Sequence, residues 1–333
     1  MSETPTWIST ERVIVTSGCS PVDGRVVWTP GRSLWTLGMT AAGVIGGALT
    51  FSLDAVAVFL VLSAVTLCAG HSVGMHRLLI HRSFTAPLWV ERVLVWLGTL
   101  VGMAGPFGMI KAHDMRDWSQ RQDVCHDHPA HRAGFWKDMW WQMHCTLRLN
   151  VPPAFEIEPR IANDRFYRFL EATWMAQQIP VALILFALGG WAWVFWGVCL
   201  RVAVGLHGHW LIGHFAHRAG DLDWRIEGLP VQGYNVRGMG FLTFGEGWHN
   251  NHHAFPHSAR LGLEKGQTDP GWWLIRGMAS LGLARDVQQP ESQPERTGLK
   301  RNAAHPSGST RPTLTRPSAK LDSMDRMPGR VVN

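Results

Sequence analysis

The sequence contains little charge. Charged side chains make up 17% of its 333 residues, below the roughly 25% usual in soluble domains, whereas apolar residues make up 46%. This composition excludes a solvated or disordered chain over most of the length. Tyrosine is almost absent, with two residues against 18 tryptophans, and tryptophan favours membrane interfaces. The mean hydropathy of -0.02 nevertheless excludes a bundle of spans joined only by short loops.

Cysteine is also scarce. The five cysteines include no C-x-x-C pair, so we expect neither a disulfide framework nor a zinc knuckle, but reduced thiols on the cytosolic side. The N-terminal sequence lacks a basic region followed by an apolar core, and we therefore expect no signal peptide. The net charge of +6 would suit a protein that binds nucleic acid, unless the positions of the basic residues have another explanation.

Four apolar stretches predict two helical hairpins. Asp54 is the only formal charge between Arg32 and His76, and Arg201 is the only one between Ala172 and Ala216. Dividing these regions at Asp54 and at the Gly189-Gly190 pair gives four segments, each near the ~20 residues that cross a hydrocarbon core. These predicted spans are residues 34–50, 55–73, 171–188 and 191–211. The predicted fold class is an all-α integral membrane protein with four spans.

The basic residues indicate the orientation of these spans. Of the 31 lysines and arginines, only Arg201 lies within a hairpin, and neither hairpin turn carries one. By the positive-inside rule, both termini and the central segment face the cytoplasm, with a histidine-rich catalytic cap on that side. The basic charge is thus mostly a topology signal, and we expect no nucleic-acid partner.

Residues 93–110 form a further apolar stretch, long enough for a fifth span. Gly102, Gly105 and Pro106 break its second half, which favours a re-entrant or interfacial element. We therefore expect a cytosolic segment at 1–33 and a membrane domain at 34–289. The polar, proline-rich residues 290–333 are expected to form a disordered tail.

Histidine is abundant, with 17 residues, of which 16 precede the expected tail. The histidines cluster at the predicted cytosolic ends of the spans and between them. Ligation is favoured for His249, His252 and His253, because residues i, i+3 and i+4 share a helix face and can converge on one metal region. Neutral imidazoles with acids nearby suit non-haem iron. His71 is more typical of a packed histidine or a partner of a ligand.

Three segments of the sequence resemble one known family. VGMHRLLIHRSF (73–84), GEGWHNNHHAFPHSAR (245–260) and DPGWWLIRGMASLGLARDV (269–287) are similar to membrane fatty acid desaturases of the acyl-CoA type (Δ9, stearoyl-CoA-like). The resemblance covers residues from about 34 to 287. It implies two non-haem iron ions, with O2 as co-substrate, that introduce a cis double bond into a saturated acyl chain. The ligands it implies are His76, His81, His113, His217, His249, His252 and His253.

The middle histidine motif departs from the family pattern. His113 matches its first histidine, but Arg116 and Asp117 stand where two further histidines are expected. Asp117 can ligate iron as a carboxylate, whereas arginine cannot. His126 and His131, a few residues downstream, are possible replacement ligands, while His128 and His144 are expected not to ligate. Gly213 stands where the family has an asparagine.

Other polar residues complete the expected site. Imidazole ligands need acceptors for their second nitrogen, and the candidates are Asp114, Asp117, Asp123, Asp127 and Glu246. A phosphate-bearing head group could meet cationic side chains, although each also satisfies the positive-inside rule. These residues are Lys111, Arg116, Arg121 and Arg237.

The sequence shows no flavin or dinucleotide fingerprint and no fused haem domain. We therefore expect a separate electron donor, such as a ferredoxin or a cytochrome with its NAD(P)H reductase. The acyl substrate could be linked to CoA, carrier protein or lipid. Three alternatives stay open: a di-iron hydroxylase or ketolase, a b-type cytochrome-like carrier, and a non-catalytic relative. Product analysis and an absorption spectrum distinguish the first two from a desaturase.

Overall fold

The computed structural model describes residues 12–302 and is predominantly helical. The helices are α1 (Pro30–Ala41, continued by Ala42–Gly46 and Gly47–Leu49), α2 (Leu53–Ile80), α3 (Leu88–Thr99), α4 (Pro106–Gln120), α5 (Phe135–His144), α6 (Pro159–Ala162), α7 (Arg165–Thr173), α8 (Gln178–Ala216), α9 (His249–Ala254) and α10 (Pro270–Ser280). The strands are β1 (Val13–Ile14), β2 (Gly24–Trp28), β3 (Cys145–Leu149), β4 (Ala154–Phe155), β5 (Trp224–Ile226) and β6 (Leu299–Arg301).

Two helices of the described chain are long and apolar enough to cross a membrane. They are α2, with 28 residues, and α8, with 39, and their mean hydropathies reach 2.2 and 2.0. All but the last residue of the first predicted span lies in α1, which starts earlier, at Pro30, where proline suits a first helical turn, and ends at Leu49. Residues 171–173, at the start of the third predicted span, belong to α7, and α8 begins at Gln178.

Helix α8 reverses direction at the predicted turn. Gly190 has φ +63° and ψ -156°, a conformation essentially restricted to glycine. Leu185 on one side of this break packs against Val194 and Val198 on the other. Further along, Gln178 Oε1 accepts a hydrogen bond of 2.7 Å from Arg201 Nη2. The two arms of α8 therefore run back along each other.

Arg201 is buried between these helices. Its guanidinium donates to the carbonyl oxygens of Gly197 and Leu100, each at 2.7 Å, and to Thr66 Oγ1 at 3.4 Å. With Gln178 as the fourth acceptor, all of its partners are uncharged. The contacts join α2, both arms of α8 and the chain just after α3.

The apolar stretch 93–110 is not one continuous helix. Helix α3 ends at Thr99, Gly102 adopts φ +83°, and α4 begins at Pro106. Glu171 Oε2 accepts from the backbone N–H groups of Phe107 and Gly108, at 2.9 and 3.1 Å, and so satisfies the start of α4. The break occurs where glycine and proline predict it.

The all-α prediction is wrong in one respect, because three two-stranded antiparallel ladders accompany the helices. They pair β1 with β4, β2 with β3, and β5 with β6. In the longest ladder Val26 pairs with Leu147, and the side chains of β3 alternate between more and less exposed positions. These strands are only two to five residues long, and hydropathy over a span-length window does not detect segments of this length.

The prediction of disorder from Pro290 onward is wrong for residues 290–302. Pro290–Ser292 form a 3-10 turn, and β6 follows with Arg301 paired to Trp224 of β5. The Arg301 guanidinium lies 5.5 Å from the Trp224 ring centroid and binds Glu264 at 2.6 Å. The polar composition of residues 290–302 gives no indication of these contacts. The rest of the expected tail, and residues 1–11 of the expected N-terminal segment, lie outside the described residues.

Candidate metal centre

Four histidines from three helical regions form a first cluster. His76 lies near the end of α2 and His81 follows it, His113 lies on α4, and His252 lies on α9. One ring nitrogen from each lies within 4.8 Å of the others. The Nε2 atoms of His81 and His113 are 3.1 Å apart. The structure thus brings together four of the seven expected ligands.

The end of α2 explains how histidines five residues apart share a site. Residues 65–80 form a π-helix, in which hydrogen bonds run from i to i+5, and the backbone N–H of His81 donates to His76 O at 3.0 Å. His71 stacks on His76 at 6.5 Å between ring centroids, and His76 contacts His81 at 4.7 Å. In the sequence, the five-residue spacing of His71, His76 and His81 matches the period of a π-helix.

Carboxylates hold the outer nitrogens of the first cluster. Glu246 Oε2 lies 2.7 Å from His76 Nδ1, and Ser72 Oγ donates to Glu246 Oε1 at 2.6 Å. Asp114 Oδ1 lies 3.2 Å from Nδ1 of His113. Both acids are among the predicted acceptors, and both orient the opposite ring nitrogen toward the cluster.

The remaining three expected ligands form a second cluster. His217 follows the end of α8, and His249 and His253 lie one turn apart on α9. His249 Nε2 lies 3.2 Å from His217 Nε2 and 3.0 Å from His253 Nε2. His217 Nδ1 donates to Gly213 O at 2.8 Å, and Gln120 Nε2 lies 2.9 Å from His217 Nε2.

The prediction that His249, His252 and His253 meet at one metal region is wrong in detail. On the short helix α9, His249 and His253 (positions i and i+4) face the second cluster, whereas His252 (position i+3) faces the first. The helix therefore contributes to both clusters. Ring centroids of His252 and His249 lie 5.7 Å apart, so the clusters are neighbours.

Burial determines the charge of most of these histidines. It lowers the pKa of His81, His217, His249 and His252 well below the ordinary value, and that of His253 to about 4. These rings are therefore neutral near pH 7 and carry a free lone pair. In His113 burial also lowers the pKa, but Asp117 and Asp114 outweigh it and raise the pKa above the ordinary value.

The donor set fits one divalent cation in each cluster. Imidazoles, most of them neutral, face one another through ring nitrogens 3.0 to 3.2 Å apart, and His252 Nδ1 is buried with no hydrogen-bond partner in the described chain. Such lone pairs are costly to bury without an electrophile. An all-imidazole first set with carboxylates behind it suits non-haem iron better than magnesium or calcium.

The possible replacement ligands lie in different places. Asp117 accepts from Arg121 Nη2 at 2.8 Å and belongs to neither cluster. His126 also lies outside both, and its Nδ1 accepts from the His128 backbone N–H at 3.0 Å. His131 belongs to a third group of buried side chains with Asp138 and His214, which the sequence did not indicate.

The four cationic candidates for head-group binding also differ in their contacts. Lys111 Nζ lies 5.9 Å from the Phe155 ring centroid. Arg121 pairs with Asp117, and the exposed Arg237 pairs with Asp221. Arg116 has no ion-pair partner among the described residues.

Comparison with known proteins gives consistent matches. The family model described as fatty acid desaturase matches residues 53–265, which contain both clusters. An sn-1 stearoyl-lipid 9-desaturase from Synechocystis sp. is 35% identical over 245 residues, 72% of this chain and 74% of that protein. An sn-2 palmitoyl-lipid 9-desaturase from Nostoc sp. is 34% identical over 66% and 76% of the two chains. An acyl-CoA 5-desaturase from Anemone leveillei is 34% identical over 72% and 74%.

Proposed function

Because this chain belongs to the fatty acid desaturase family, we propose that it introduces a cis double bond into a saturated fatty acyl chain, with O2 as co-substrate. The observation that carries the proposal is the pair of neighbouring buried histidine clusters joined by α9. Two iron ions, when bound with O2 and supplied with two electrons, provide the chemistry that removes hydrogen from unactivated C–H bonds.

The chain's own residues hold and orient the metals. In this proposal His76, His81, His113 and His252 bind one iron, and His217, His249 and His253 bind the other. Glu246 and Asp114 fix the tautomers of His76 and His113, so that the inner nitrogen of each ring carries the lone pair. Burial keeps water away from the site and keeps most of these imidazoles neutral.

The proposed topology has four spans, with both termini and both clusters on the cytoplasmic side. The reversal of α8 at Gly190 and the scarcity of basic residues in the hairpins support it. Residues 93–110 do not cross, since His76 and His113 lie on either side of them in sequence and share one cluster. Reporter fusions after Arg92 and after Lys111 should both read cytoplasmic, and opposite readings would contradict this arrangement.

The proposed reaction is Δ9-like, on an acyl chain linked to lipid or to CoA. The first relatives act on lipid-linked chains at position 9, by their names, whereas an equally similar relative is an acyl-CoA 5-desaturase. Electrons come from a separate donor, a ferredoxin or a cytochrome with its NAD(P)H reductase, which docks on the cytosolic face.

The test is expression in a host that lacks its own desaturase, followed by profiling of the fatty acids. A new monounsaturated acid supports the proposal, and mass spectrometry of its double-bond adduct gives the position. A hydroxylated product would instead indicate a hydroxylase. Membrane insertion with bound iron but no new product, when a ferredoxin and its reductase are co-expressed, would contradict the proposal.

A further inference from the structure

The third group of buried side chains lies directly beside the second cluster. His131, Asp138 and His214 are 1%, 0% and 4% exposed, and their ligand-type atoms lie within 4.8 Å of one another. The His131 ring stacks on that of His217, with centroids 5.2 Å apart and planes 15° apart. Ring pairs within the two clusters span 4.5 to 6.2 Å, so this spacing is that of a cluster neighbour.

The hydrogen bonds of this group indicate an anchor, not a separate metal site. One oxygen, Asp138 Oδ2, accepts from His131 Nδ1 at 3.0 Å, His214 Nδ1 at 2.7 Å and Trp210 Nε1 at 3.0 Å. With three donors on it, one of them an indole N–H that can only donate, this oxygen has no capacity left to bind a metal ion. Asp138 therefore places the His131 proton on Nδ1 and leaves the lone pair on Nε2.

The Nε2 atom of His131 is buried and has no hydrogen-bond partner among residues 12–302. It occupies the space next to Gly213, where a Cβ atom would lie 3.3 Å from it. Residues 213 and 217 are one turn apart on the same helix face, so this space borders His217. His131 thus supplies an imidazole where residue 213 has no side chain.

The backbone at His131 supports a specific role for this position. His131 has φ +52°, an uncommon left-handed conformation for a residue other than glycine. Arg218 Nη1 holds it by donating to the carbonyl oxygens of His131 and Ala133, at 3.0 and 2.6 Å. Strained backbone that is held by such contacts concentrates at functional sites.

We propose that His131, anchored by Asp138, completes the second cluster as its fourth nitrogen donor and fills the space left by Gly213. The first cluster already has four histidines, whereas the second has three. The inference rests on the proposed function, since it concerns the metal of the second cluster. It also selects His131 over His126 and Asp117 as the replacement for the missing middle-motif ligands.

The test measures iron on the purified full-length protein. His131→Gly removes the imidazole and tolerates the positive φ, and Asp138→Asn keeps the volume while weakening the anchor. His144→Ala is the matched control, because this imidazole is also buried but binds Ser33 Oγ and belongs to none of the three groups in the described chain. Bound iron, its transfer rate to a chelator and the Mössbauer spectrum of 57Fe are compared.

We expect two irons in the wild type and in His144→Ala. In His131→Gly the iron of the second cluster should be lost, or released at least about tenfold faster, with a change in one of two Mössbauer signals. Asp138→Asn should accelerate release by a smaller factor. Unchanged iron, release rate and spectrum in both variants would overturn the inference and leave the proposed function intact. Fewer than two irons in the wild type would overturn both.

An exchange of side-chain size between positions 213 and 131 provides an independent test of the inference. Asparagine at position 213 would compete with His131 for one space, so Gly213→Asn alone should release iron faster. Combined with His131→Gly, the same asparagine has room, and the double variant should retain more iron than His131→Gly alone. Additive losses in the double variant would contradict the shared space.

Discussion

The two histidine clusters differ in how their outer nitrogens are held. In the first, the carboxylates of Glu246 and Asp114 lie behind His76 and His113. In the second, His217 donates to the backbone carbonyl of Gly213. A carboxylate increases the basicity of an imidazole more than a neutral carbonyl does, so the two metals should differ in affinity.

This difference shows why the second cluster depends on residues outside the histidine motifs. Its only nearby buried carboxylate, among the described contacts of His217 and His131, is Asp138, which reaches it through His131. The ligands of the first cluster come from α2 and the residue that follows it, from α4 and from α9. The second also depends on the segment between α4 and α5, just downstream of the divergent middle motif on α4.

The largest expected effect is the loss of a ligand. His252→Ala should abolish unsaturated product and remove the iron of the first cluster, and His249→Ala should do the same for the second. The apolar helices do not depend on either ring, so membrane insertion should persist. Fatty-acid profiles and iron content of the membranes measure both effects.

His126→Ala is the matched control for these variants, since this imidazole contacts neither cluster. Its product and iron should equal those of the wild type. Unchanged product in His252→Ala would remove this residue from the ligand set and break the division into two clusters.

A smaller effect is expected from Glu246→Gln. The glutamine keeps the shape and the contact with Ser72, but a neutral amide no longer supports the His76 ring as a carboxylate does. Loss of such a partner typically costs 10- to 100-fold in metal affinity or activity, and we expect about tenfold here. Competitive chelation measures it, and the second-cluster iron should be unaffected.

The iron-free protein should become less stable in mild acid. Below the ordinary histidine pKa of about 6.5 the unfolded chain binds protons, while His217 and His249 remain neutral because burial lowers their pKa. The free energy of unfolding therefore falls as the pH decreases, by at most about 1.4 kcal/mol per group and pH unit. Melting temperatures between pH 7.5 and 5.5 measure this.

His113 acts in the opposite direction, because Asp117 and Asp114 raise its pKa. Its stabilisation is present at low pH and is lost as the pH rises through the folded-state pKa. His249→Ala should thus flatten the pH dependence of the melting temperature, whereas His113→Ala should steepen it. Equal slopes in the two variants would contradict the assigned protonation states.

The smallest effect is expected from Gln120→Ala. This variant removes the contact of 2.9 Å with His217 Nε2 and the hydrogen bond of 2.7 Å to Pro129 O. Gln120 donates to the Nε2 lone pair of His217, which is the lone pair that the metal would take. The amide and the metal therefore compete, and the rate of iron release should change by less than in Glu246→Gln. A larger effect than that of Glu246→Gln would show that Gln120 matters more than the carboxylate.

Much of the site could be predicted from the sequence, because its signals are local. The last histidine motif lies within one helix, and Gly189 and Gly190, in the middle of a long apolar stretch, mark the reversal of α8. The assignment of His252 and His249 to separate clusters could not be predicted, since it depends on which helices pack on each face of α9.

The role of His131 could not be predicted from the sequence either. Its partners His217 and Gly213 lie more than eighty residues away, and only the packing of α8 against α5 brings them together. The ordered segment 290–302 also depends on a distant partner, the strand at Trp224. The composition of a segment shows how much surface the segment can bury by itself. It does not show which contacts a distant segment provides.

The buried Arg201 has a consequence for how the protein is made. Its acceptors belong to three other parts of the chain, at Thr66, Leu100 and Gln178. On the proposed topology, a last span inserted alone would place among lipid tails a cation whose only remaining acceptor of the four is the Gly197 carbonyl, at a cost of about 3 kcal/mol. The second hairpin should therefore insert as a pair alongside the completed first hairpin. A chain lacking residues before α3 should leave its fourth span poorly inserted during translation.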